Sequence, residues 1–187
     1  MTNQNLLNRI SKEIENCKTC KAGKTGKAVP GEGNPNAKIM FVGEAPGRVE
    51  SKTGRPFVGR SGKFLTQLIE SIGLRRQDVY ITSPVKYFPV TSNGAGRTPT
   101  DAEIKHANIH FQKQLQVIKP EIIVLLGKTA AKAVLFKNIP IAKDHGTIIK
   151  EEGRNYFITY HPAAAVRFFK FRALIEADFK KLAKILI

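Results

Sequence analysis

The chain has 187 residues, 42% of them hydrophobic and 25% charged, which suits one globular domain over residues 1–187. Lys and Arg number 31 against 15 Asp and Glu, a net charge of +16 that favours a polyanionic partner, although a lysine-rich solvated surface would show the same excess. Apolar runs too short to span a bilayer, a polar N-terminus and only two cysteines argue against membrane-spanning and disulfide-held proteins, so we expect a cytoplasmic monomer without a membrane partner.

The predicted elements alternate between short apolar runs typical of strands and segments of helical period. The first half holds a helix around residues 6–14, a strand over 37–42, a helix over 64–72 that Gly73 stops, and a strand over 79–82. Residues 89–99 are predicted as a flexible loop. The second half holds a helix that a capping box at residues 100–103 opens and Pro120 closes, a strand over 122–126, a helix over 128–135, a strand over 156–160 and a helix over 171–187. This alternation predicts an α/β fold, a three-layer α/β/α sandwich around a central four-stranded parallel sheet.

The residues that could take part in catalysis or binding follow the predicted strands. Gly43-Glu44-Ala45-Pro46-Gly47 comes after the first strand, Ser83 after the second and His161 after the fourth. Because the carboxyl ends of parallel strands meet at one edge, where open α/β sheets bind ligands, we expect these segments to lie together. The alternative is that glycine and proline merely punctuate strand ends, which leaves Glu44 and His161 unexplained.

A glycine-rich segment over residues 54–61 raises the possibility of a phosphate-binding P-loop. That motif requires a preceding strand and a Lys where this chain has Arg60. The residues before it are polar, and Pro56 lacks an amide that could bind phosphate. A nucleotide-binding enzyme is therefore the function that the sequence supports least.

Three motifs together resemble the uracil-DNA glycosylase superfamily, and specifically its family 4, the iron–sulfur branch. They are GEAPG at residues 43–47, TGRPFVGRSG at 53–62 and YHPAA at 160–164. The resemblance implies a monofunctional DNA-repair glycosylase that flips uracil, or another deaminated base, out of DNA and hydrolyses its N-glycosidic bond, leaving an abasic site. The alternative is a catalytically weakened nucleic-acid-binding homologue of the same fold.

The resemblance also implies roles for single residues. Glu44 would orient the attacking water, and His161 would donate a hydrogen bond to the uracil oxygen as negative charge develops. The base would be surrounded by residues of the first two motifs and of the second strand end, with the phenylalanine stacking on it: Gly43, Ala45, Phe57 and Ser83. Each has a plainer alternative, with Glu44 capping a turn, Phe57 in the core and His161 a satisfied buried imidazole.

Two further segments are implied to contact DNA. Arg60, Ser61 and Gly62 would bind phosphate at a helix N-terminus. After the third motif, a loop would enter the minor groove with Val166 as its apolar tip. Its implied flanking contacts are Ala165, Arg167, Lys170 and Arg172. The alternative for Phe168, Phe169 and Phe171 is that they form the core of the last helix, which we expect for at least one of them.

The chain departs from the family pattern at its metal site. Cys17 and Cys20 match the first pair of cluster ligands, but Tyr87 and Ala107 replace the other two and no further cysteine exists. The implied 4Fe–4S cluster is therefore doubtful, and we expect that no cofactor is required. A zinc site that adds His106 and His110 to the two cysteines stays open as an alternative.

A second departure from the family pattern lies at a position that contacts the base. The family usually has Asn where this chain has Ser83, and one hydroxyl cannot reproduce the paired donor and acceptor of an amide. We expect either looser selectivity, extending to hypoxanthine or xanthine, or a substitute contact such as Asn93 in the nearby loop.

Overall fold

A computed structural model of the chain describes residues 1–186. The strands are β1 (Lys24–Thr25), β2 (Glu32–Gly33), β3 (Ile39–Val42), β4 (Tyr80–Thr82), β5 (Phe88–Pro89), β6 (Ile122–Leu126), β7 (Thr147–Glu151) and β8 (Arg154–Thr159). The helices are α1 (Asn3–Asn16), α2 (Lys18–Lys21), α3 (Arg48–Thr53), α4 (Arg60–Ser71), α5 (Asp101–Ile118), α6 (Lys128–Leu135), α7 (Ile141–Asp144), α8 (Pro162–Arg167) and α9 (Lys170–Ile185). The last helix was predicted to reach Ile187, which lies outside the described residues.

The main sheet is mixed. Among residues 1–186 it has six strands in the order β2-β4-β3-β6-β8-β7. The inner four, β4, β3, β6 and β8, are parallel, and the edge strands β2 and β7 are antiparallel to their neighbours. The prediction of a sheet of four parallel strands is therefore wrong in its extent. The edge strands escaped prediction because β2 has only two residues and β7 has no fully buried position, so neither shows a continuous apolar run.

Helices cover both faces of the sheet. Along β6, Ile123 and Leu125 point into a core formed with α1, α5 and α6. The alternate residues Ile122, Val124 and Leu126 point into a second core formed with α4 and α9. This alternation follows from the two-residue period of a strand, and it produces the predicted three layers.

Local helix signals are confirmed in detail. At the start of α5, the hydroxyl of Thr100 accepts a hydrogen bond from the Glu103 amide (3.3 Å), and the Glu103 carboxylate accepts one from the Thr100 amide (2.7 Å). Helix α6 has the predicted bounds. The loop at residues 89–99 is closed by a bridge between Val90 and Gly96. No helix within residues 1–186 combines the length and the hydropathy needed to cross a membrane.

Candidate active site

A cavity of about 140 Å³ lies at the carboxyl edge of the parallel strands. The loops that follow β3, β4 and β8 contribute Ala45, Ser83 and His161 to its wall. The remaining lining residues come from residues 29–61: Val29, Pro46, Gly47, Glu50, Pro56, Phe57 and Ser61. Because pockets for drug-sized ligands measure about 300–1,000 Å³, this cavity suits a single planar ring better than a whole nucleotide.

His161 has a defined protonation state at this cavity. Its Nδ1 accepts a hydrogen bond from the Ala163 amide (3.0 Å) at the start of α8, which assigns the ring proton to Nε2. Burial lowers the pKa of His161 to about 4, although the Glu50 carboxylate partly opposes this shift. The imidazole is therefore neutral at physiological pH and its Nε2–H group is a hydrogen-bond donor.

Phe57 lies against His161 in the cavity wall. The two rings stack with centroids 5.6 Å apart and planes at 28°. Phe57 has a φ of +50°, in the left-handed region that side chains other than glycine rarely adopt. Two glycines make room for it. A Cβ at Gly43 would lie 2.6 Å from the Phe57 ring, and a Cβ at Gly62 would lie 2.0 Å from the Phe57 carbonyl carbon.

Gly62 therefore has a packing role that sequence reasoning missed. It is buried against the Phe57 backbone at the start of α4. The sequence indicated only a phosphate contact for this glycine, because close approach to a phosphate and close packing against backbone both favour glycine.

Gly62→Ala tests this packing. In a helix, alanine is ordinarily more stable than glycine by about 1 kcal/mol. Here the added methyl group would overlap backbone atoms, and overpacking costs roughly 1–3 kcal/mol. We expect denaturant unfolding to show a net loss of stability and weaker activity. Unchanged or increased stability would contradict the packing role.

Glu50 is a site residue that the sequence did not indicate. It is only 9% exposed, and its Oε1 accepts hydrogen bonds from the amides of Val58 (3.0 Å) and Gly59 (2.8 Å). These are amides that a P-loop would direct at phosphate, and the segment before them is helix α3 rather than a strand. Glu50 therefore fixes the segment that carries Phe57, and the P-loop hypothesis has no structural support. An acidic residue in a polar stretch carries no sequence signal of burial.

Glu44 lies beside the cavity and is not among its lining residues. Burial raises the pKa of its carboxyl group, and a hydrogen bond with Thr129 at the start of α6 partly offsets that shift. The same β6–α6 connection contacts His161, since a Cβ at Gly127 would lie 2.9 Å from the Cβ of His161. Glu44 and His161 thus both lie against the β6–α6 connection, and Glu44 is outside the ring-sized cavity.

Ser83 and Asn93 differ from the sequence expectations. Ser83 is 4% exposed and its hydroxyl donates to the Val85 carbonyl (2.9 Å), so only acceptor lone pairs remain for the cavity. Asn93 is exposed, and its side-chain oxygen accepts from the Ala95 amide (3.3 Å) within its own turn. Because Asn93 does not line the cavity, the suggestion that it replaces the missing amide is wrong.

A cationic groove runs next to the cavity, between α4 and α8. Its lining residues are Arg60, Lys63, Phe64, Gln67, Ala165, Val166 and Arg172. Arg167 and Lys170 are exposed nearby. The predicted minor-groove loop is the helix α8, followed by two exposed aromatic residues, Phe168 (53%) and Phe169 (83%). The alternative that these phenylalanines belong to the core is therefore confirmed for Phe171, which packs against the second core. It is wrong for Phe168 and Phe169.

The two cysteines and two histidines come together away from the cavity. The ligand atoms of Cys17, Cys20, His106 and His110 all lie within 4.8 Å of one another. Burial and the neighbouring Cys17 thiol raise the pKa of Cys20 to about 12. Tyr87 and Ala107, each 3% exposed, are packed in the core. Two cysteines do not fit a four-cysteine cluster, and the expectation that no metal is bound is not confirmed.

The fold and the site define an α/β domain with a ring-sized cavity beside a cationic groove. Residues 30–183 match the Uracil DNA glycosylase superfamily, and the chain belongs to this superfamily. It is 42% identical to the type-4 uracil-DNA glycosylase of Sulfurisphaera tokodaii, over 97% of this chain and 85% of that protein. Identity to the type-4 enzyme of Archaeoglobus fulgidus is 40%, covering 96% and 92% of the two chains. For the type-4 enzyme of Thermotoga maritima it is 39%, covering 89% and 86%.

Proposed function

We propose that the protein is a monofunctional DNA-repair glycosylase that hydrolyses the N-glycosidic bond of uracil flipped out of DNA. The observation that carries this proposal is the placement of His161 in a ring-sized cavity, stacked beside Phe57, with Nδ1 accepting from the Ala163 amide so that Nε2 is left to donate. The type-4 uracil-DNA glycosylases to which the chain is similar support the same reaction. None of the three motifs, GEAPG, TGRPFVGRSG and YHPAA, contains a lysine that could form a Schiff base with the sugar.

In this proposal the flipped base stacks on Phe57, whose ring forms part of the cavity wall. As the bond to deoxyribose breaks, negative charge grows on the uracil ring, and the Nε2–H of His161 stabilises it at a uracil oxygen. Ser83 accepts a hydrogen bond from the base, since its own proton is donated to Val85. The leaving uracil is thus bound more strongly in the transition state than in the ground state.

The position of Glu44 beside the cavity suits the sugar side of the reaction. Only the base enters the cavity, so the deoxyribose and the attacking water remain at its mouth. The Glu44 carboxylate would orient that water, accept its proton and offset the positive charge that develops on the sugar. Bond cleavage sends the electron pair to uracil, and the water oxygen bonds to the sugar carbon.

Uracil ranks ahead of other deaminated bases. The cavity of about 140 Å³ favours one ring over the two fused rings of hypoxanthine or xanthine. Ser83 offers one acceptor in place of an amide, and a lost base-edge hydrogen bond weakens discrimination by about 1–3 kcal/mol. We therefore propose uracil as the main substrate, with weaker discrimination between bases than an amide would provide.

The cationic groove is the proposed DNA backbone site. For Arg60→Ala, we expect weaker binding to all DNA sequences and a salt-dependence slope reduced by about 1, because one phosphate contact is lost. Lys38→Ala is the matched control: Lys38 directly precedes β3, at the opposite edge of the sheet, and its side chain is 80% exposed. Fluorescence anisotropy at several salt concentrations measures both slopes, and equal effects of the two variants would contradict the assignment.

The residues proposed to fill the space left by the flipped base lie at the end of α8. Val166 is 38% exposed, whereas Phe169 is 83% exposed, so the aromatic pair Phe168 and Phe169 is a larger apolar wedge than the valine. Arg167 and Lys170 flank this pair and would contact phosphates. Ala165, which lines the groove, would pack beneath the wedge.

The proposed function is tested with oligonucleotides that contain one uracil, hypoxanthine or xanthine, single- and double-stranded, followed by hot alkali. We expect strand cleavage after alkali on uracil substrates and none without alkali. The replacement of an amide by Ser83, whose proton is donated to Val85, favours one alternative, a binding protein with weakened chemistry. Equal affinity for uracil-containing and ordinary DNA, with no cleavage on any substrate, would support that alternative and overturn the glycosylase.

A further inference from the structure

Four side chains with metal-binding chemistry lie in one cluster that the proposed reaction does not use. Cys17 and Cys20 stand at the short helix α2, and His106 and His110 stand on α5. We propose that these residues bind a single metal ion, zinc by the chemistry of its donors, in a tetrahedral site that replaces the four-cysteine cluster implied by the family resemblance. This inference goes beyond the glycosylase function and does not depend on it.

The local backbone directs each pair of ligands to one side. Cys17 caps α2, and its sulfur accepts a hydrogen bond from the Cys20 amide (3.3 Å), so the turn brings both sulfurs together. His106 and His110 are four residues apart on α5 and therefore share one helix face. Their rings lie edge to face, with centroids 6.4 Å apart.

The distances among the four ligand atoms bracket those of a single tetrahedral site. Cys17 Sγ lies 3.1 Å from His106 Nε2, and all four ligand atoms lie within 4.8 Å of one another. With Zn–S bonds of about 2.3 Å and Zn–N bonds of about 2.0–2.1 Å, a tetrahedral zinc site separates its ligand atoms by roughly 3.3–3.8 Å. A four-iron cluster is ordinarily held by four cysteine thiolates, and the chain has two cysteines.

A second observation points to the same site. His110 is 7% exposed, and its Nδ1 is buried with no hydrogen-bond partner among the described residues. Buried polar atoms are nearly always paired, so this nitrogen requires an explanation. A metal ion bound at Nδ1 would satisfy this nitrogen, and the ligand atom of His110 lies within 4.8 Å of the other three.

The charges also balance. Zn²⁺ with two thiolates and two neutral imidazoles carries no net charge, which suits a site where Cys20 and His110 are buried. Four protein ligands leave no open position for substrate, so the ion would be structural rather than catalytic. It would link α2 to α5, since Cys17 and His106 are 89 residues apart in the sequence.

The first test is metal analysis of the full chain, purified without a histidine tag. We expect one equivalent of zinc per chain and no acid-labile sulfide. After removal of the metal by chelation, added Co²⁺ should give the intense visible bands of tetrahedral cobalt and thiolate charge-transfer bands, and zinc should abolish both. Iron with sulfide, an octahedral cobalt spectrum, or no binding at micromolar metal would each overturn the proposal.

Variants assign the ligands. Cys20→Ser and His110→Ala should lower zinc content to near zero and remove the zinc-dependent rise in melting temperature. Lys105→Ala, an exposed change on the same helix, is the matched control and should keep one equivalent of zinc. Full zinc content in both ligand variants would contradict the assignment. Should the ligand variants fail to fold, the cobalt spectrum of the unaltered chain decides the question alone.

Discussion

His161→Ala is expected to slow uracil release by about 100- to 1,000-fold, the usual effect of removing a donor that stabilises developing negative charge. The change removes the Nε2–H group from the cavity and also the acceptor that caps α8 through the Ala163 amide. Single-turnover release of free uracil measures the chemical step directly. Loss of the cap alone would lower stability and leave the rate of folded enzyme near that of the unaltered chain.

A matched pair of variants separates the two roles. Asn and Asp are both good N-cap residues, so either can accept from the Ala163 amide. Only the asparagine side chain can also donate a hydrogen bond. We therefore expect His161→Asn to retain more activity than His161→Asp at similar stability. Equal rates for the two would show that the donor is dispensable.

The pH dependence gives an independent check on His161. Because burial lowers its pKa to about 4, the imidazole stays neutral as the pH falls through the ordinary histidine value of about 6.5. The rate should therefore not rise as the pH falls from about 8 to about 5. A rate that increases below about pH 6.5 in folded protein would indicate a charged imidazole as the donor.

Glu44→Gln is the second change with a large expected effect, a loss of about 100- to 10,000-fold in single-turnover rate, because an amide cannot accept a proton from water. Glutamine keeps the size of the side chain and can still hydrogen-bond Thr129. Glu121→Gln is the matched control: it removes the same charge from an exposed site directly before β6, at the amino edge of the sheet. Similar rates in the two variants would remove Glu44 from the mechanism.

Glu44 should also set the acid limb of the pH–rate profile. Burial raises the pKa of this carboxyl group above its ordinary value, so the active carboxylate is lost as pH falls through that raised pKa. His161 titrates lower, since its pKa is about 4. The limb should therefore disappear in Glu44→Gln, whereas a limb that survives in this variant belongs to another group.

Much of the scaffold followed from local sequence patterns. The apolar runs located the four inner strands, and the rule that parallel strands end at one edge brought Ala45, Ser83 and His161 to one cavity. The helix starts were also predicted from neighbouring residues, as the capping box at Thr100 shows. These features depend on neighbouring residues and on a general topological rule, which is why sequence alone sufficed.

Other features depend on contacts between distant segments. Glu50 is buried only because the chain returns to place the Val58 and Gly59 amides on its carboxylate. The left-handed backbone of Phe57 is tolerated because Gly43 and Gly62 leave space around it. No local pattern encodes either arrangement.

The metal-ligand cluster shows the same limit. Two pairs of ligands, each spaced as one helix turn would place them, were visible in the sequence. Whether the pairs meet depends on how α2 packs on α5, and the structure brings all four ligand atoms within 4.8 Å.

The proposed reaction requires that the ring-sized cavity receive the flipped base. A crystal structure of the Glu44→Gln protein bound to a duplex with a single uracil tests it most directly. We predict uracil in the cavity, stacked on Phe57, with a uracil oxygen within hydrogen-bond distance of His161 Nε2 and the base edge at Ser83. A uracil still paired in the duplex, or lodged where Nε2 faces no base atom, would contradict the account.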